Sequence, residues 1–343
     1  MAVLFCPKMT HFVSFLPLMF VVFVHHVSTT PSYDEYPRKV LQHRGISSLN
    51  SSSQLLDAEM MSIRPRPRQV VHLAAYESYQ AAGNQYTGAM ATFDVYGFPN
   101  LVKGESSSAQ IWVINKGNGE SDNVNKIMSG WEVLNNIITT LTYAITISSN
   151  KLTNFCNRSI QTSMVIAKHI FFVFWTADGE DETGCYNLNC LGFVPVNGAP
   201  ITPGDSLELP HGQTRISLKI YKSRDDGDWW LYYGNDNIGL TRVGYWPKDL
   251  FTTLSGHATV IAWGGMTTSY EGRSSPPMGN GKWAGRESAT VRNIQYVDTS
   301  GGGYDPPTWP AGLHIVETHR NCYRATTFGD GMFHYGGPGG CVR

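Results

Sequence analysis

Apolar and polar positions in this chain alternate in short runs and rarely recur at helical spacing. Residues 89–96, with Met90, Phe93, Val95 and Tyr96, form a strand-like run that stops at Gly97-Phe98-Pro99. Comparable runs occupy 110–115, 127–133, 171–176, 216–221, 229–233, 243–246, 257–266, 289–297 and 332–335. A period of two, bounded by Gly, Pro and Asn clusters, predicts strands. Runs this short and this regularly punctuated predict an all-β fold, one bent β-sandwich from His72 onward. Between the strands, Pro247–Phe251 reads as a short helix with Pro in its first turn.

The stretch 257–266 organises the rest. Its β-branched alternation runs into Trp263-Gly264-Gly265, which predicts a strand ending in a corner, since paired glycines permit positive φ or a close backbone approach. The side chain of Met266 would then project from the strand's end into the cleft that the sheet encloses. An acid–base enzyme would put a carboxylate there, and this chain has a thioether.

Composition narrows the partners. The net charge is −1 and 15% of residues are charged, so no basic face for nucleic acid is implied. At the N-terminus, Lys8 and His11 precede an apolar run from Phe12 to Val24. That run is too short to span a bilayer and has the layout of a secretory leader, assigned to residues 1–29, with a signal anchor as the rival reading. The mature chain is then expected to be secreted, extracellular or in the cell wall, with no membrane association after leader removal. Secretion makes the cysteines disulfide candidates. Cys185 and Cys190 flank four residues, Cys322 and Cys341 bracket the C-terminal segment, and Cys156 is left without a partner. A zinc site at Cys185 and Cys190 is the alternative, although no close His-x-His accompanies them.

Residues 30–68 are polar and end in the basic, Pro-rich Arg64–Arg68, either a linker or the seam between a pro-segment and the mature body. Asn50 and Asn157 begin Asn-x-Ser sequons and are candidate glycosylation sites. The stretch from Asn136 to about Ile170 is rich in Ile, Thr, Ser and Asn without a helical stripe. It reads as an anomalous insertion, a retained intron or gene-assignment fault, against the plainer reading of a surface loop.

Several motifs fall in one order: Ile127-Met128-Ser129-Gly130-Trp131, Phe174-Trp175-Thr176-Ala177-Asp178, Thr183–Cys190, Gly227-Asp228-Trp229-Trp230, Val243–Pro247, Ile261–Gly265, Asn321-Cys322-Tyr323 and Tyr335–Gly339. With them, residues 69–343 resemble the plant neprosin family of secreted glutamic prolyl endopeptidases, and 30–68 look like a shortened activation segment. The resemblance implies a jelly-roll-like sandwich of two bent antiparallel sheets with a concave cleft. It implies an acid-activated precursor, cleavage after proline, two catalytic glutamates, and neither metal nor other cofactor. The glutamate places are occupied here by Met128 and Met266, so no catalytic pair is intact. Gly130, Trp131, Trp263, Gly264 and Gly265 are the cleft candidates. The two methionines should face one another across the concave surface with no carboxylate between them. Two substitutes are conceivable: Glu132, four residues and about 13 Å along the strand from Met128, and Glu271, beyond Met266.

The expectation is a monomer, impaired as an enzyme, whose cleft holds a proline-containing polypeptide. An active post-proline endopeptidase is one alternative. A carbohydrate-binding sandwich is another, suggested by Trp229, Trp230, Tyr232, Tyr233, Tyr245 and Trp246.

Overall fold

The computed structural model describes residues 68–79, 84–97, 101–102, 104–134, 168–207, 214–236 and 238–342, all within the unit Pro65–Arg343. The leader, Asn50, Cys156, Asn157 and most of 136–170 lie outside the described residues.

In chain order the strands are β1 Gln69–Ser78, β2 Gly88–Val95, β3 Ser106–Asn115, β4 Asn125–Leu134, β5 Lys168–Thr176, β6 Cys185–Tyr186, β7 Val194–Pro195 and β8 Thr214–Lys222. They continue with β9 Trp229–Asn235, β10 Ile238–Trp246, β11 Val260–Tyr270, β12 Ala289–Val297, β13 Tyr304–Asp305, β14 Leu313–Glu317, β15 Arg324–Ala325 and β16 Phe333–Gly336. Two three-residue 3-10 turns, Ser121–Asn123 and Lys248–Leu250, are the helical elements among the described residues. The second falls where the sequence predicts a short helix.

The strands form two antiparallel sheets. One has seven strands in the order β14-β1-β11-β3-β4-β5-β6; the other runs β15-β16-β12-β2-β8-β9-β10-β7, with β13 paired to β12. Alternate residues from both sheets meet in one core. Tyr76, Ile111, Trp131, Phe171, Val173 and Trp263 come from the seven-stranded sheet, and Phe93, Leu218, Trp229, Val291 and Phe333 from the other. This is the all-β sandwich that the alternation predicts, because a period of two delivers every second side chain to one face.

Three local expectations change. The strand at 257–266 begins at Val260 and does not turn at Gly264-Gly265; it continues to Tyr270. The glycines serve a close approach within the sheet: a Cβ on Gly264 would lie 2.5 Å from the Ala74 carbonyl oxygen. β3 starts at Ser106, four residues before the predicted strand, and its serines pair with Met266, Thr267 and Thr268. β5 starts at Lys168, so the last residues of the 136–170 stretch belong to a strand, with His169 and Ile170 paired to Val133 and Glu132.

Both predicted disulfides are present, Cys185–Cys190 with Cα atoms 5.7 Å apart and Cys322–Cys341 at 6.0 Å. Bonded sulfurs at 185 and 190 leave no thiolates for zinc. No helix among the described residues is long and apolar enough to cross a membrane.

Candidate functional site

The face of the seven-stranded sheet turned away from the core carries the site. Pairing sorts its side chains into rows across the strands. One row holds Leu73, Met266, Ser108, Glu132 and Ile170. The next holds Ala75, Gly264, Gln110, Gly130 and Phe172. The third holds Glu77, Ala262, Trp112, Met128, Phe174 and Tyr186. Met128 and Met266 therefore occupy one face, on strands that flank β3, four β3 residues out of register. Ala75, Trp112 and Ala262 form a small apolar cluster there, with both methionines packed against it.

A cavity of about 390 Å³ opens over these rows. It is lined by both methionines, Phe172, Phe174, Tyr186 and Tyr270, with Glu132, Glu105, Ser106 and Thr268 as polar members. Carboxylates line the same cavity, although none is paired between the two methionines. Glu132 shares a row with Met266, two strand spacings away, about 10 Å across the sheet. Along β4 it lies about 13 Å from Met128, and the register across β3 puts it in the row of Met266. Glu271 follows the end of β11, and its amide donates to the Arg68 carbonyl; it is not among the lining residues.

The surroundings of Glu132 are specific. Tyr186 donates its hydroxyl to Glu132 Oε2 at 2.8 Å, and Ser106 makes a second side-chain hydrogen bond. The residue as a whole is half-buried, yet its carboxyl is enclosed closely enough for desolvation to raise its pKa against the pull of those two bonds. Burial, then the neighbouring carboxylate, pushes the Tyr186 phenol far above its ordinary value, so it remains a donor. Glu105 accepts from the Val102 amide at 2.9 Å.

Beneath Met266 lies Gln110, fully buried. Its Nε2 is 3.7 Å from the Met266 sulfur, and its Oε1 is buried with no hydrogen-bond partner among the described residues. Glycines stand on both sides of it in its row. A Cβ on Gly130 would collide with the Ala109 carbonyl oxygen and come within 2.6 Å of Gln110 Cβ.

The five cleft candidates separate by parity. Gly130 and Gly264 are on the cleft face. Trp131 and Trp263 are on the other, fully buried in the sandwich core, and a Cβ on Gly265 would press on Tyr335 and Met278 of that core. Each of these three lies an odd number of residues from its methionine, so alternation directs it inward. Gln110, Tyr186 and Ser106 are the cleft residues to which motif reading gives no role, whereas Glu132 is already a candidate substitute.

A family model described as Neprosin matches residues 158–338, just over half of the chain. Met266 lies inside the matched span and Met128 upstream of it. The match opens within the stretch read as an insertion. With the two-sheet sandwich, both disulfides and the ordered motifs in place, this match settles the family: the chain belongs to the Neprosin family.

Proposed function

We propose that this is a secreted neprosin-like protein whose cleft binds a proline-containing polypeptide and does not hydrolyse it by the paired-glutamate route. The observation that carries this reading is the contact at Met266. A buried glutamine aims an amide nitrogen at a sulfur 3.7 Å away, and a thioether is only a weak acceptor. A carboxylate in that place would receive a charge-assisted bond. The pocket floor thus suits the glutamate that the family resemblance implies better than the methionine present. A thioether cannot take a proton from water or give one to a leaving nitrogen, and both steps need a titrating group. The leader sequence and the two disulfides support secretion.

The rival reading, an active post-proline endopeptidase, would have to run on Glu132 and Glu105. Glu105 already holds the Val102 amide, and Glu132 is tied to Tyr186. The carbohydrate reading draws on a different face. Trp229, Tyr233 and Trp246 belong to or pack on the core. Trp230 and Tyr245, with centroids 4.8 Å apart, lie outside it and carry Arg242 over Trp230 at 4.7 Å. Glycan-array binding that is lost in Trp230→Ala would favour this second reading.

The test of the main reading is calorimetric titration with a proline-containing peptide, followed by recovery of the peptide. Saturable binding with intact recovery, weakened when Met266→Trp fills the cavity, is the expected result. Absence of binding, or binding untouched by Met266→Trp, refutes the assignment of the cleft.

A further inference from the structure

Within that reading of the cleft, we propose that Glu132 is its polar recognition group, presenting a carboxyl to a backbone carbonyl of a polypeptide laid across the seven-stranded sheet. The cavity wall is chiefly thioether and aromatic carbon: Met128, Met266, Phe172 and Phe174. Binding cavities of this kind owe orientation to a few placed polar groups. Here the placed group is Glu132, fixed from one side by the Tyr186 hydroxyl at 2.8 Å and bonded to Ser106. Ser106 is itself held by Thr268, their hydroxyls 2.8 Å apart. The Tyr186 ring stacks on Phe172 with centroids 5.9 Å apart, so the donor that orients the carboxyl is packed in place.

The partner chemistry follows from protonation. A neutral carboxyl has one O–H to donate as well as acceptor capacity, whereas a carboxylate only accepts. Tyr186 donates to Oε2 and Ser106, whose oxygen can accept from Thr268, donates to the same carboxyl, so a protonated Glu132 keeps its own O–H for the ligand. A carbonyl oxygen matches that donor; facing an ionised carboxylate it would meet a second acceptor. Burial biases Glu132 toward the protonated form. The titratable groups facing it from the lining elements are Glu105 before β3, Tyr186 on β6 and Tyr270 on β11. Its other described neighbours there, Ser106, Met128, Phe172, Met266 and Thr268, carry no charge. Deprotonation of Glu132 therefore adds a negative charge with no cation among the lining residues to balance it.

The experiment is titration of an end-blocked alternating Ala-Pro peptide, which has no titrating group of its own. It is run at about pH 4, where a carboxyl of raised pKa is protonated, and at about pH 8, where ionisation is favoured far more. The proteins are the secreted chain and its Glu132→Gln and Glu132→Ala variants, each checked by near-UV circular dichroism. The wild type should lose at least tenfold in affinity between the two pH values. Glu132→Gln, which keeps a neutral donor, should bind equally at both, and Glu132→Ala weakly at both. Wild-type binding independent of pH, or Glu132→Gln weakening as the wild type does, overturns the role of Glu132 and leaves the polypeptide cleft standing. Failure of every variant to bind at either pH removes both.

Discussion

Met266→Glu probes the cleft geometry most sharply, because it restores a carboxylate where two neighbours respond in opposite directions. Gln110 Nε2, now facing the thioether at 3.7 Å, would gain a charged acceptor worth about 1.5–3 kcal/mol. Glu132 lies in the same row across β3, two strand spacings or about 10 Å away. At an effective dielectric constant near 20, two like charges at that separation repel by about 1.7 kcal/mol. The assay is a double-mutant cycle of Met266→Glu and Glu132→Gln, read by urea unfolding at about pH 8, where both carboxyls are driven toward the ionised form. The expected coupling is unfavourable by about 1.7 kcal/mol, and it should vanish in acid once the carboxyls protonate. Additivity within about 0.3 kcal/mol at the higher pH would show that the two positions do not share a row and would refute the geometry.

Glu132→Gln alone should change the pH dependence of stability. A carboxyl whose pKa rises on folding contributes its full relative stability below the unfolded value and loses it as the pH climbs through the folded one. The variant should therefore melt higher than the wild type at neutral pH and about equally near pH 3, checked by thermal scans. Asp94, 1% exposed, is paired with Arg215 and Arg292 at 3.0 and 3.3 Å and accepts from Thr290. Asp94→Ala should cost about 3 kcal/mol in urea unfolding, the low end for breaking a buried pair, because both guanidinium groups keep some water. Opening Cys322–Cys341, which spans 19 residues, by Cys322→Ser with Cys341→Ser should cost about 3 kcal/mol by the same measurement.

Much of this arrangement is legible in the sequence because alternation is a local property. It marks the strands around Trp112, Trp131, Trp229 and Trp263, and it already assigns Met128 and Glu132 to one face. The same parity, applied consistently, would have sent Trp131, Trp263 and Gly265 into the core. Strand order and register are not local, so nothing along β4 indicates that Glu132 meets Met266 across β3. The serines at 106–108 resemble a loop by composition. They lie in a strand because Met266, Thr267 and Thr268 supply the partners, and Ser106 bonds Thr268. Gln110 looks like an ordinary polar strand residue until the register puts it beneath Met266. The glycines at 264 and 265 signal a close approach in the sequence, and only the neighbouring Ala74 shows that it occurs within a strand and not at a corner.

The most direct test of the central claim is mass-spectrometric analysis of a proline-containing peptide incubated with the purified mature chain between about pH 3 and pH 7, spanning carboxyl titration. Met128→Glu with Met266→Glu is the companion sample. The account predicts no cleavage above buffer by the unaltered chain at any pH. Cleavage after proline by the unaltered chain, lost in Glu132→Gln, would contradict it and transfer the catalytic role to Glu132.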